Sequence, residues 1–175
     1  MLFEYLIDEM QNWYRLHRKD KSMDKQTFQN NVLSSEEMLY RISKSICFYE
    51  SDCEDAVQNA ILKAYEKLDS LREEKYFRTW ITRILINECY RVNKLKHREV
   101  SFSEYLLSEE ARNENYSDVF ESIMKLPPKI RITVQLYYVE GYSIEETAGI
   151  LHIPTGTVKS RLSQGRAKLK SILED

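Results

Sequence analysis

Ser143-Ile-Glu-Glu-Thr-Ala-Gly-Ile-Leu-His-Ile-Pro-Thr-Gly-Thr-Val-Lys-Ser-Arg-Leu-Ser-Gln-Gly-Arg-Ala-Lys-Leu-Lys170 contains two short helical patterns separated by a turn with proline, the second strongly basic. Ser143 can accept from the backbone N–H of Glu146 while the Glu146 side chain reaches back to Ser143, so the start of the first helix is written locally. Ile144, Thr147, Ala148 and Leu151 then fall on one face. Pro154 removes a donor and drives Ile153 out of the helical region, which ends that helix around His152. Thr155 can cap the next one. Between Thr155 and Lys170 the only charged side chains are Lys159, Arg161, Arg166, Lys168 and Lys170, all cationic, while Val158, Leu162, Leu169 and Ile172 supply a buried stripe. This predicts a helix-turn-helix whose second helix docks on phosphates and turns its first residues to base edges in the major groove. Taken alone, the same stretch also suits a solvated basic face.

Charge elsewhere is sorted by position. The 175 residues carry a formal net charge of -2, which leaves room for one medium domain or two small ones. Residues 88 to 98 hold Arg91, Lys94, Lys96, His97 and Arg98 against Glu88 alone. From Glu99 to Glu121 the balance reverses, with Glu104, Glu109, Glu110, Glu114, Asp118 and Glu121 facing only Arg112. Such blocks predict two modules with basic faces joined by an acidic, polar connector. No apolar run approaches a membrane span and the first residues lack a secretory pattern, so a cytoplasmic protein is expected. Three cysteines, Cys47, Cys53 and Cys89, form no C-x-x-C pair, which argues against a disulfide framework or zinc knuckle and for buried or half-buried thiols. With four Gly, three Pro and no strand-like alternation, the fold class is all-α.

Helical spacing recurs through the first half. Leu2, Phe3, Leu6, Ile7, Met10 and Trp13 predict an amphipathic helix over residues 1 to about 18. A second pattern runs from Gln26 to about Tyr49, with a break expected near Ser34 and Ser35. A third, capped by Asp52, passes through Val57, Ile61, Leu62 and Tyr65. After a turn at Asp69 to Lys75, the longest spans Tyr76 to about Lys96 through Phe77, Trp80, Ile81, Ile84, Leu85 and Tyr90. A bundle of three or more helices is expected.

Asp52-Cys-Glu-Asp-Ala-Val-Gln-Asn-Ala-Ile-Leu-Lys-Ala-Tyr65, Phe77-Arg-Thr-Trp-Ile-Thr-Arg-Ile-Leu-Ile-Asn87, Leu126-Pro-Pro-Lys-Ile-Arg131 and the helix-turn-helix together resemble a bacterial RNA polymerase sigma factor of the extracytoplasmic-function (ECF) group. The resemblance covers roughly residues 26 to 172, in order and with suitable spacing. It implies an N-terminal extension over 1–25, sigma domain 2 over 26–98, an acidic linker over 99–117 and sigma domain 4 over 118–175. It implies binding to core RNA polymerase, recognition of promoter DNA and melting of its upstream element, with an anti-sigma factor as a further partner.

Site residues follow motif by motif. The resemblance assigns the helix after Asp52 to a coiled coil of the polymerase's largest subunit, through Asp52, Asp55, Gln58, Asn59 and Leu62. An acidic flank attracts a basic protein and repels DNA, which agrees with that role. Asn59 stands where the family often has an acid. On the Tyr76 helix, Arg78, Arg83, Asn87, Arg91 and Lys94 are the candidates for the minus-ten element, since melted DNA needs cations for its backbone and an amide can pair with a base edge. Phe77 and Trp80 are expected in the core. The family commonly has Tyr at Thr82 and a small residue at Leu85. For the minus-thirty-five element, Lys159, Ser163 and Gln164 are assigned to base edges, and Thr157, Arg161 and Arg166 to phosphates. Val134, Tyr137 and Tyr138 are either core or a cleft for the flap of the second-largest subunit.

The connector is either a tether or an acidic mimic of nucleic acid in the polymerase channel. Residues 1 to 22 read as an extra helix, as part of the domain 2 bundle or as an upstream segment not native to the functional protein; the extra helix is favoured, packed on domain 2 or on a partner, because its apolar face would otherwise be exposed. Two other classes fit the sequence less well. A polymerase-independent helix-turn-helix regulator would leave the Asp52 and Phe77–Asn87 motifs unexplained. An enzyme or metal site built from Cys47, Cys53, His97 and His152 lacks ligand spacing. No catalytic residue, metal or cofactor is expected.

Overall fold

The computed structural model describes residues 23–95 and 118–174. The expected helix over 1–18, the linker over 99–117 and the basic residues Lys96, His97 and Arg98 lie outside them. Within them all regular structure is helical: α1 (Lys25–Cys47), α2 (Glu50–Glu66), α3 (Phe77–Leu95), α4 (Asp118–Met124), α5 (Pro128–Val134), α6 (Ile144–Leu151) and α7 (Thr155–Glu174). No helix among the described residues is long and apolar enough to cross a membrane.

α1 starts at a cap. The Asp24 carboxylate accepts from the Thr27 backbone N–H at 2.8 Å and from its hydroxyl at 3.0 Å, and these bonds hold the carboxyl below its usual range. The break expected at Ser34 and Ser35 does not occur. Ser34 turns its hydroxyl back to the Asn31 carbonyl at 3.1 Å, so it satisfies itself on the helix, and Ser35 is buried between Phe28 and Met38 on a continuous inward stripe. α1 ends in a three-residue γ-turn. Phe48 adopts φ 67 and ψ -60 while the Tyr49 N–H bonds the Cys47 carbonyl at 2.9 Å. This strained conformation is held because Lys44 donates to the Phe48 carbonyl at 2.9 Å and the Arg131 guanidinium lies 4.7 Å over the Phe48 ring.

α2 begins at Glu50, two residues before the expected cap, and the Tyr49 side chain at its N-cap position does not cap the helix. Its innermost face is Cys53, Ala56, Ala60 and Ala64, with Val57 and Ile61 half-buried at its edge and Leu62 and Tyr65 exposed. Small side chains at every fourth position bring α2 close against α1 and α3. Leu39, Ile42, Phe77, Ile81 and Leu85 fill the centre, each worth about 1.5–3 kcal/mol once buried. Phe77 is therefore core, and Trp80 packs at its edge. Cys47, Cys53 and Cys89 are free and buried at one end of the bundle. The neighbouring Cys47 thiol and burial push Cys53 above the ordinary thiol range, which makes it inert. Glu88 is buried on α3 between Lys63 of α2 and Arg91. Burial pushes its carboxyl up, but the bonds from Lys63 and Arg91 outweigh this and hold it below the ordinary range.

The second module packs α4 to α7 around Ile123, Leu126, Ile130, Val134, Ala148, Val158 and Leu162. Pro128 occupies the first turn of α5, where its missing N–H has no cost. α5 then widens into a π-helical turn, Gln135–Val139. The Ser143–Glu146 capping box forms in both directions, and His152 closes α6 in the left-handed conformation at φ 52. Gly165 marks the crossing of α7 over α5: a Cβ there would lie 2.6 Å from Val134 Cγ2 and 3.2 Å from Ile130 Cγ2. Ile132, Leu136, Tyr142 and Ile150 turn the other way and join the core of the first module.

Candidate functional site

Three surfaces carry the expected site residues. On α2, Asp55, Gln58 and Leu62 face solvent, and Leu62 is 62% exposed although it is a large apolar side chain. Asn59 is half-buried, and its amide donates to the Asp55 carbonyl at 2.6 Å. Asp52 does not belong to this face. It is 0% exposed, because it sits one turn before Ala56 on the buried stripe. Between α1 and α2 runs a groove of about 770 Å³. Val32, Leu33, Val57 and Ile61 are among its apolar residues, and Glu36, Glu37, Glu50 and Glu54 among its acids. Apolar ground rimmed by carboxylates is suited to a basic, partly apolar helix.

α3 carries the second surface. Asn87 and Lys94 are exposed. Arg91 is half engaged, donating to Glu88 at 2.7 Å. Arg78 and Arg83 are directed at the second module: Arg78 donates to the Glu140 carbonyl, and Arg83 Nη2 donates to the Gly149 carbonyl at 3.0 Å. The structure therefore brings Asn87, Arg91 and Lys94 together on open surface, leaves Arg78 exposed although tied to the second module, and half-buries Arg83. Thr82, where the resembled family commonly has Tyr, is buried with its hydroxyl 2.8 Å from that of Tyr142. The sequence reading assigned Tyr76 and Tyr90 no role, yet both rings are about half exposed. Tyr90, three residues from Asn87, shares its side of α3, which was legible from the 3.6-residue period, whereas Tyr76 stands in the short turn just before the helix.

α7 is the third surface. Lys159, Ser163, Gln164 and Arg166 are exposed, Thr157 and Arg161 partly so, and Val158, Leu162 and Gly165 face inward. Gln164 donates to the Ser160 hydroxyl at 3.2 Å and Arg166 to the Tyr138 hydroxyl at 2.9 Å. Val134 is core, whereas Tyr138 is on the surface with its ring packed edge-on against Tyr137. His152 is an exposed helix cap in this module, and the thiols of Cys47 and Cys53 are buried in the other.

Comparisons with known proteins follow the same partition. Sigma-70 region 2 matches residues 32–100, and Sigma-70, region 4 matches residues 118–169. The ECF RNA polymerase sigma factor SigM of Mycobacterium tuberculosis is 30% identical over 154 residues, covering 86% of this chain and 79% of the relative. The chain belongs to the ECF RNA polymerase sigma factors. The ECF RNA polymerase sigma-E factor of Escherichia coli is 36% identical over 138 residues, which covers 66% of this sigma factor and 70% of the relative. Among solved structures, the sigma factor RpoE in complex with the anti-sigma factor NepR from Bartonella quintana superposes with a TM-score of 0.69 at 28% identity, covering 84% of this chain and 96% of that one. As a family, these proteins are transcription initiation factors rather than enzymes.

Proposed function

We propose that this ECF sigma factor binds core RNA polymerase through α2 and the α1–α2 groove, and directs it to promoters through α3 and α7. Residues 26–98 act as sigma domain 2 and 118–175 as sigma domain 4, with 99–117 as the linker and 1–25 as an N-terminal extension. Asp55, Gln58 and Leu62 form the centre of the polymerase contact, with Asn59 at its edge. Arg78, Asn87, Arg91 and Lys94, with the half-buried Arg83 beside them, engage the minus-ten strand. Lys159, Ser163 and Gln164 read the minus-thirty-five duplex, while Thr157, Arg161 and Arg166 hold its phosphates. An anti-sigma factor restrains the protein in the cytoplasm. The similarity to a sigma factor solved with its anti-sigma factor supports that partner.

The observation that carries this reading is the solvent-facing Leu62, flanked by Asp55 and Gln58, in a module separate from the basic reading helix. A polymerase-independent regulator has no use for such a face. Affinity capture of purified core polymerase tests it. Leu62→Arg should weaken capture by about tenfold or more, the size of effect seen when a central interface residue is lost. Capture unchanged by Leu62→Arg, or by Asp55→Lys, would sink the assignment.

A further inference from the structure

We propose that the Tyr138 hydroxyl and the Arg166 guanidinium together form one seat for a phosphate of the promoter backbone, at the edge of the reading surface of α7. The inference rests on the reading of Arg166 as a phosphate contact and deepens it, since a residue of the turn after α5 then takes part in holding DNA.

The seat follows from the packing of α7 on α5. At Gly165 the two helices approach so closely that an added Cβ would lie 2.6 Å from Val134 Cγ2. Tyr138 comes one turn after Val134 and Arg166 directly follows Gly165, so the crossing sets these two side chains side by side. Both are exposed, Tyr138 at 48%, and Arg166 Nη1 donates to the Tyr138 hydroxyl at 2.9 Å. That bond uses the hydroxyl as an acceptor and one N–H of the guanidinium fork. The tyrosine proton has no acceptor among the described residues, so it and the other guanidinium N–H groups are left for an anion. Arg and Tyr are both side chains that DNA-binding proteins direct to phosphate oxygens. The position suits that ligand. Arg166 lies about two turns beyond Lys159 on the same stripe of α7, and a reading helix turns its first residues to base edges while its later ones pass the backbone.

The hydroxyl is held in place by the fold itself. Tyr138 belongs to the π-helical turn Gln135–Val139, which the Glu140 N–H closes on the Gln135 carbonyl and the Tyr142 N–H on the Leu136 carbonyl, both at 3.0 Å. Gln135 is buried, and its amide donates to Glu140 Oε1 at 3.0 Å, which ties the turn to the interior. The Tyr138 ring stands edge-on against Tyr137 with centroids 4.9 Å apart, and Tyr137 packs on the core of the second module. Tyr138 thus orients Arg166 from a fixed base, and a phosphate finds donors whose freedom was already lost on folding.

The test uses holoenzyme reconstituted from core RNA polymerase and the full chain, with its affinity for labelled promoter duplexes read by fluorescence anisotropy. Tyr138→Phe keeps the ring and removes only the hydroxyl. It should weaken binding about fivefold, by the same factor on every minus-thirty-five sequence, with thermal melting unchanged. Arg166→Ala should weaken binding further and lower the salt dependence by about one phosphate contact. In that background Tyr138→Phe should cost less than about twofold, because the hydroxyl has lost the group it works with. Full affinity of Tyr138→Phe beside a weakened Arg166→Ala overturns the seat and leaves the Arg166 reading standing. Full affinity of both variants overturns both. A Tyr138→Phe loss that varies with base sequence, or that is found in capture of core polymerase instead of promoter binding, gives the side chain to another partner and overturns the proposal.

Discussion

α3 and α7 have similar charge patterns and opposite circumstances. Each is a long helix with an apolar stripe and a basic flank. On α7 the cations and polar groups expected to read DNA are turned to solvent, with Gln164 and Arg166 tied only to exposed neighbours. On α3 the arginines are engaged by protein: Arg78 and Arg83 by the second module, Arg91 by Glu88. A cationic face in a sequence therefore states what a helix can bind, and tertiary contacts decide whether the face is open. The surface proposed to read duplex DNA is open, while on the surface proposed for the melted strand Arg83 is half-buried against the second module.

Variants that strike one helix and spare the other sharpen this contrast. Gly165→Val should be the most damaging, because the added carbons meet Val134 and Ile130 where α7 crosses α5. A loss of about 3 kcal/mol in chemical denaturation is expected, with minus-thirty-five binding lost and polymerase capture retained. A fully stable variant would mean that the crossing is looser than described.

On α3 the corresponding weak point is Glu88. Its carboxyl is held below the ordinary range, so it stabilises the bundle above the carboxyl's unfolded pKa, and that contribution is lost as pH falls through the folded one. Glu88→Gln should cost about 2 kcal/mol at neutral pH and flatten the stability profile in the acid range. An unchanged profile would show that the Lys63 and Arg91 contacts contribute little.

The smaller effects separate reading from holding. Gln164→Ala should shift preference among minus-thirty-five variants by about 1–2 kcal/mol, and Arg161→Ala should weaken every promoter alike. Equal losses on all sequences from both would end that division of labour. Ser143→Ala should lower stability by about 1 kcal/mol through loss of the capping box, measured by thermal melting, with base preference intact.

The helix-turn-helix was legible because its information is local: a capping box, a proline and a stripe all lie within thirty residues. The core positions Phe77, Ile81 and Leu85 were legible for the same reason. On α2 the innermost stripe was hard to read, since Ala56, Ala60 and Ala64 give little hydrophobic signal beside Val57 and Ile61, which pack half-buried at its edge. Asp52, one turn before Ala56 on that stripe, was therefore read as exposed. The engagement of Arg78 with Glu140, sixty-two residues away, had no local signature at all. Nor did Ser34 and Ser35 reveal that α1 runs through them unbroken.

Run-off transcription with purified core RNA polymerase and genomic promoter fragments tests the central claim most directly. A transcript that appears only with this protein, and is lost with Asp55→Lys or Leu62→Arg although the variants remain folded, is the predicted result. Failure to engage core polymerase, with the protein alone still shifting duplex DNA, would contradict the account and leave α2 and α3 without their assigned partners.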